Sequence, residues 1–321
     1  MESTSGVSPE SFCPTPNESP GRASMPDKAL YPDLVAPAGH PLIPGEWDGV
    51  PEGFEVLRLA SGGRTLVLRS SCRDALLFAG IQEPGSVRRG PLVAGWLEGG
   101  RTRHALLRVR GEAWVLKAYR RGGFMGRWNS ERYWGSGRFL AELRIAALAE
   151  RAGVATAEAL ALVVERAGLG SVRAWLVTRY LERARPLTEF FGDPAEVIVF
   201  RAAGEVVRRM HLAGIDHNDL HLGNIMGTFE AGRPQAHIVD WDRARLRSPG
   251  SWSPYGNLSR LWRSLEKGWL RSDFHALRRP VRAFIRGYFA GHPSDLREAR
   301  AFFRNRAICL GAHKWCWRAR R

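Results

Sequence analysis

The sequence predicts an α+β fold in which a small β-rich lobe precedes a larger helical lobe, with a cleft between them. Three observations predict it. Strand-like runs broken by glycine turns fill 53–119. A helical spacing follows at 139–153, and beyond 193 the chain is mostly helical and carries the polar motifs. The expected division is a leader at 1–45, an N-lobe at 46–182 and a C-lobe at 183–321.

The elements can be justified in order. Residues 1–45 are rich in Pro, Ser and Gly without any period, so they are expected to be a disordered leader with little to bury. In GFEVLRLASGGRTLVLRS (53–70) apolar residues alternate around a Gly-Gly pair, which predicts two strands. The block 91–119 reads as strand, Gly-rich turn, strand, Arg-Gly turn, strand. In FLAELRIAALAERAG (139–153), Leu140, Leu143, Ala147 and Leu148 share one helical face and Gly153 is a plausible stop. ALALVV (159–164) and RAWLVTRYL (173–181) predict two further strands. Asp193-Pro194 opens a helix running to about Leu212. A turn at 231–234 precedes the short strand of AHIVDWD, and the chain from about Asn257 is helical and Arg-rich.

Composition narrows the class. The formal net charge is +16, and 44 of the 48 basic residues are arginine, the lysines being Lys28, Lys117, Lys267 and Lys314. Much of that bias is compositional, yet so basic a surface attracts polyanions. Four cysteines without a CxxC pair are too few for a disulfide framework and fit a reducing cytoplasm. The N-terminus lacks the features of a signal peptide, and no apolar run approaches the ~20 residues of a membrane span. Any work at a membrane is therefore expected at its surface.

The segment GIDHNDLHLGNIM (214–226) concentrates the chemistry. His217 and His221 lie four apart, but Asn218 replaces the glutamate a HExxH zinc site needs and Gly223 interrupts a helix. No GxSxG elbow supports nucleophilic hydrolysis. Phosphoryl transfer fits better, because His217-Asn218-Asp219 followed by Asn224 has the H-x-D-x4-N spacing of a kinase catalytic loop. Asp219 takes the position of the base. Asn224, with Asp240 at the end of the next strand, offers the hard oxygens that magnesium prefers. Upstream, WVLK places Lys117 at a strand end, and Glu142 on the following helix can pair with it. Gly99 and Gly100 fall in a near-miss to the P-loop pattern, GWLEGGRT, where arginine replaces the lysine and a strand replaces the helix. A hairpin lid over ATP phosphates is the better reading there.

With these motifs in place, the sequence resembles the lipopolysaccharide kinases, closest to those acting on 3-deoxy-D-manno-octulosonic acid (Kdo). The resembling segments are VLKAYRRGG (115–123), FLAELRIAAL (139–148), HNDLHLGNI (217–225), VDWDRARLR (239–247) and NLSRLWRSL (257–265). The resemblance implies a protein-kinase-like two-lobed fold and ATP-dependent phosphorylation of a Kdo hydroxyl on the lipid A inner core. It also implies that Lys117 holds phosphates, Glu142 orients it, Asp219 is the base, and Asn224 and Asp240 bind the metal. Two departures stand out. His221 replaces an expected asparagine, and DLHxGN is also the wording of aminoglycoside and choline kinase-like enzymes. Arg120, Arg121, Arg127 and Arg132 are expected on the cleft side of the small lobe, with Arg243, Arg245 and Arg247 after Asp240. Their guanidinium forks suit the phosphates and carboxylates of Kdo-lipid A. The Trp- and Arg-rich HKWCWRARR (313–321) suits an anionic membrane surface. The expected location is thus the cytoplasmic face of the inner membrane, as a peripheral protein.

Two rivals remain open. A small-molecule kinase for a cationic acceptor would line its site with carboxylates rather than arginines. A nucleic-acid-binding pseudokinase would have lost catalytic positions, yet all five are present, so no nucleic-acid partner is expected.

Overall fold

In the computed structural model the described residues are 42–44, 47–59, 63–99, 102–120, 132–168, 170–248, 252–269, 274–290 and 297. Most of the expected leader, Gly100, Arg121, Arg127 and the segment 313–321 lie outside them.

The first part of the described chain is an antiparallel sheet. Strands β1 (Leu42–Pro44), β2 (Phe54–Leu59) and β3 (Arg64–Arg69) lead into two short helices, α1 (Arg73–Phe78) and α2 (Pro84–Val87). Then come β4 (Val93–Gly99), β5 (Thr102–Val109), β6 (Glu112–Ala118) and the two-residue β7 (Tyr133–Trp134). Helix α3 (Gly137–Arg151) is followed by β8 (Ala159–Arg166) and β9 (Ser171–Arg179). The sheet runs in the order β1-β2-β3-β8-β9-β6-β5-β4, with β7 also paired to β9. The turn between β5 and β6 consists of Arg110 (φ 50°) and Gly111 (φ 85°), joining the pair Val109–Glu112. Two positive-φ residues in a two-residue loop match the right-handed twist of the strands they connect.

Both faces of this sheet are covered, which explains why ALALVV reads as an unbroken apolar run rather than an alternation. On one face, Leu66, Leu68, Leu116, Val163 and Val177 pack under α1 and α2 through Leu76, Ile81 and Val87. The segment 73–87, for which the sequence predicts no element, therefore supplies the cover for that face. On the other face, Leu162, Val164 and Leu176 meet Phe139, Leu140 and Leu143 of α3. Ala147 is buried too and Leu148 half-buried, as the helical face predicts. Each fully buried Leu or Phe contributes about 1.5–3 kcal/mol. Gly153, at φ 69°, ends the helix as expected.

The remaining described chain is mainly helical. A two-residue strand β10 (Arg185–Pro186) precedes α4 (Glu196–Leu212), whose start is fixed by Asp193 Oδ1 accepting the Ala195 N–H at 2.8 Å. Strands β11 (Ile215–Asp216), β12 (Ile225–Glu230), β13 (Arg233–Ile238) and β14 (Arg245–Leu246) follow, then α5 (Tyr255–Trp269) and α6 (Phe274–Tyr288). The sequence reading misses β12, the partner of β13 across the Ala231-Gly232 turn. Helices α4 and α6 cross at glycines: a Cβ on Gly204 would lie 2.1 Å from the Phe284 carbonyl oxygen, and one on Gly287 would lie 2.0 Å from that of Arg201. An antiparallel sheet covered by α1 and α2 on one face and by α3 on the other, followed by a helical part carrying short β-hairpins and loops, is the α+β, protein-kinase-like architecture that was expected.

Candidate active site

Lys117 is brought to the site by the alternation of β6. Trp114, Leu116 and Ala118 join the core under α1 and α2, so Lys117 points the other way, toward α3. Its Nζ lies 3.3 Å from Glu142 Oε1 and 2.7 Å from Asp240 Oδ1. The expected Lys117–Glu142 pair is therefore present, and one ammonium group joins three elements of the chain. Glu142 is only 2% exposed at its side chain, and its second oxygen accepts the Tyr119 hydroxyl at 2.5 Å.

The electrostatics follow from this crowding. Burial pulls the Lys117 pKa down, but the charges of Glu142 and Asp240 outweigh it and raise it above the ordinary lysine value. Burial raises the Glu142 carboxyl, opposed chiefly by Lys117. At Asp240 burial also pushes upward, yet Lys117, as charge and hydrogen-bond donor, holds the group below the usual carboxylate range. Asp240 is thus the ionised partner and the one open to solvent, with a side chain 46% exposed.

Asp240 has φ 67° and ψ 71° in a short 3-10 turn. Asp tolerates this left-handed region better than most residues. Its position is fixed from both sides. Thr156 Oγ1 donates to the Ile238 carbonyl at 2.6 Å and accepts from Trp241 Nε1 at 2.9 Å. Arg138 grips Asp242 with two prongs, Nε to Oδ1 at 2.7 Å and NH2 to Oδ2. Arg138 and Glu142 are four residues apart on α3, so one face of that helix reaches both Lys117 and the turn after Asp240. Sequence reasoning missed this second clamp; its signal was the i,i+4 spacing together with the second acid of DWDR.

The loop 217–224 is tied to the same strand end. His217 is fully buried, and its Nε2 lies 3.1 Å from the Val239 carbonyl oxygen. Burial lowers its pKa, so the neutral ring donates to that carbonyl. The Val239 N–H in turn donates to the Asn224 carbonyl at 3.0 Å. The Asn224 side-chain amide donates to the Asp219 carbonyl at 3.1 Å, leaving its oxygen as the atom a cation would use. His217 therefore braces the loop against the strand end. His221 Nδ1 accepts the Gly223 N–H at 3.1 Å, and its ring stands 3.1 Å from where a Cβ on Gly223 would be. That gives His221 a local turn-forming contact.

A second, buried network reaches the loop from behind. The Asn218 N–H donates to Asn257 Oδ1 at 3.1 Å, and Asn257 Nδ2 lies 3.2 Å from His211 Nε2. His211 Nδ1 lies 2.7 Å from the Tyr288 hydroxyl. Burial and then Arg208 lower the His211 pKa to about 3, so the ring is neutral at pH 7. The asparagine amide donates to Nε2, and the proton consequently sits on Nδ1 and is donated to Tyr288. Asn218 itself has φ 60°. None of Asn257, His211 and Tyr288 was singled out from the sequence.

Of the sequence-predicted residues, Lys117, Glu142 and Asp240 are in direct contact, and Asp219 and Asn224 join them through Val239. Asp219 is 43% exposed at its side chain, with Arg243 3.5 Å from its Oδ2. Arg247 instead holds Asp216 through Nε and NH2, at 3.1 and 3.0 Å. Gly99 ends β4 opposite Thr102 in the hairpin expected to cover phosphates. His104 on β5 faces the same space: burial, then Lys117, lower its pKa to about 4. One expectation is corrected. Arg120 follows Ala118 and lines a cavity with Trp175 on the face away from Lys117, because two residues along a strand restore the same side.

One carboxylate and one amide oxygen, both on well-braced backbone, fit a magnesium ion that keeps several waters. An exposed carboxylate on the same loop as Asn224 and an anchored lysine complete the parts for moving a phosphoryl group.

Comparison with known proteins agrees. The lipopolysaccharide kinase (Kdo/WaaP) family matches residues 92–288, more than half of the chain. The chain is similar to the 3-deoxy-D-manno-octulosonic acid kinase of Xanthomonas axonopodis pv. citri (strain 306), at 36% identity over 171 residues, 49% of this chain and 67% of that protein. It is 31% identical over 183 residues to the enzyme of the same name from Actinobacillus succinogenes, covering 54% of this chain and 74% of that one. The solved structure of WaaP in complex with acyl carrier protein aligns with a TM-score of 0.49 and 21% identity, over 77% of this chain and 95% of that chain.

Proposed function

The chain belongs to the lipopolysaccharide kinase (Kdo/WaaP) family, and from that premise we propose that it transfers the γ-phosphoryl group of ATP to a hydroxyl of Kdo on the lipid A inner core. The observation that carries the reading is Lys117 Nζ held between Glu142 and Asp240, at 3.3 and 2.7 Å. An anchored cation beside an ionised, solvent-facing carboxylate is what triphosphate binding and metal binding each require.

In this reading Asp219 accepts the proton of the attacking sugar hydroxyl. A new P–O bond forms to that oxygen as the bond from the γ-phosphorus to the ADP oxygen breaks, and ADP leaves with the electron pair. Lys117 neutralises phosphate charge, Glu142 keeps it aimed, and Gly99 and Gly100 are the candidate glycines for contact with the phosphates. Asn224 and Asp240 would hold magnesium, which when bound with ATP offsets the charge on the phosphate oxygens. Arg243 beside Asp219 favours an anionic acceptor, since a guanidinium near the base attracts phosphate or carboxylate and repels an aminoglycoside.

The acceptor's lipid places the enzyme at an anionic membrane surface on the cytoplasmic side. No helix among the described residues is long and apolar enough to cross a membrane, and the net charge of +16 supports peripheral attachment. The test is direct: incubation with ATP, magnesium and Kdo-lipid A should add one phosphate to the glycolipid by mass. No gain there, with phosphorylation of an aminoglycoside instead, would select the cationic-acceptor enzyme.

A further inference from the structure

The face of the sheet that carries Lys117 stays partly open where the opposite face is closed. Ala105, Leu107, Trp114 and Leu116 are buried in the core under α1 and α2. Leu106 and Val115, which alternate with them, are only half-buried, as is Leu97 on β4. Strand register arranges this open face in rows. Val115 pairs with Leu106, and His104, one step beyond the pair Ala105–Leu116, comes opposite Lys117. On its other side His104 pairs with Leu97. One row is therefore aliphatic, and the next, about 7 Å along the strands, sets an imidazole beside the Lys117 ammonium group.

His104 is half-buried, and its Nδ1 is enclosed without a hydrogen-bond partner among the described residues. Burial, then the charge of Lys117, lower its pKa to about 4 against a smaller opposing pull from Asp240, so the ring is neutral at pH 7. A neutral imidazole carries one N–H, and an enclosed N–H without an acceptor is less favourable than an enclosed lone pair. The proton therefore sits on Nε2, the nitrogen that remains to meet a ligand. His104 and Asp240 each act on the other's ionisation, which places the ring at the border of the Lys117–Asp240 pair. For the fold alone this residue is a poor choice. A leucine here would continue the apolar surface, whereas a half-buried imidazole with an unpartnered nitrogen adds a desolvation cost.

Side chains opposite one another on neighbouring strands stand about 5 Å apart at Cβ, so an anion held by Lys117 lies within reach of the His104 N–H. The aliphatic row suits an apolar group, and the row of His104 and Lys117 suits an anionic one. We propose that His104 is a nucleotide-binding residue whose Nε2–H donates to an oxygen of the phosphate chain beside Lys117. The inference rests on the reading of the chain as an ATP-dependent kinase and adds to it a donor on β5 that Lys117 alone does not supply.

The test uses the full chain and compares ligands with and without phosphates. Calorimetry with magnesium and a non-hydrolysable ATP analogue should show binding in the wild type. In His104→Leu it should be weaker by about tenfold or more, the scale of a hydrogen bond to a charged group. In His104→Gln, whose amide keeps an N–H donor, affinity should return to within about threefold of the wild type. Adenosine, followed by ligand-observed NMR, should bind the wild type and His104→Leu alike. Should His104→Leu not fold, His104→Ala takes its place with the same expectations. Unchanged analogue affinity in the apolar variant, a loss that glutamine does not recover, or equal weakening of adenosine would each overturn the role of His104 and leave the kinase reading standing. A wild type that binds no analogue at all would overturn both.

Discussion

Asp240 holds a backbone conformation that costs on the order of 1–3 kcal/mol, and the Arg138–Asp242 and Thr156–Trp241 contacts keep it there. The proposed role makes a definite demand on its charge. Asp240→Asn keeps the shape but removes the charge, so magnesium-dependent nucleotide binding should weaken by about tenfold or more, equivalent to about 1.4 kcal/mol. Nucleotide affinity measured with and without magnesium checks this, and an unchanged magnesium response would remove Asp240 from the metal site. For Asp219→Ala the expectation differs: transfer should fall by roughly 10²–10⁴, the usual contribution of a general base, with nucleotide affinity nearly intact. The contact of Lys117 with Glu142 and Asp240, and the tie of Asn224 to the strand end before Asp240, follow residues that the sequence had singled out by order and spacing, while their roles in transfer are for these variants to test. The Asn257–His211–Tyr288 relay was not legible in the sequence. Its members sit 46 and 77 residues apart, and no local pattern marks an asparagine or a tyrosine as a partner of a distant histidine.

At the scale of elements, the crossing of α4 and α6 is the contact the sequence conceals. Gly204 lies inside a 17-residue helix, where propensity alone says that alanine would stabilise by about 1 kcal/mol. The structure reverses the sign, since the added Cβ would meet backbone at Phe284 and at Tyr288, 2.6 Å from its nitrogen. Gly204→Ala should therefore lower stability by about 1–3 kcal/mol or more, the range for overpacking. Thermal unfolding measures it, and a raised midpoint would show that α6 does not lie this close. Strands β2 to β6 and helix α3 were readable because alternation, turn glycines and helical spacing are local. Strand β12 was missed, its polar and glycine positions hiding the pairing with β13. Helices α1 and α2 were missed because each is too short to show a period.

For the whole molecule, one buried and one half-buried histidine link stability to pH. His211 and His104 have pKa values lowered to about 3 and about 4 from 6.5, because burial disfavours their charged forms. Above pH 6.5 neither state binds the proton, and the full stability is present. As pH falls below 6.5 the unfolded chain takes up protons that the fold refuses, so stability is lost at up to about 1.4 kcal/mol per pH unit for each histidine. Thermal midpoints should thus drop between pH 6.5 and 4.5, and His211→Gln should show a shallower drop than the wild type. An identical slope would mean that His211 is protonated in the fold. The α+β class and its sheet-then-helix order were legible at this scale, since they follow from the sequence of local elements. The covering of both sheet faces was not, because it depends on packing. The relay from Asn218 to Tyr288 also bears on synthesis. The loop that carries Asp219 is tied through Asn257 and His211 to a side chain 69 residues further along the chain, so a polypeptide still threading out of the ribosome lacks the far end of that relay until Tyr288 has emerged. The nascent protein reaches its mature loop geometry late in translation, after the sheet and helix α3 are already available to fold.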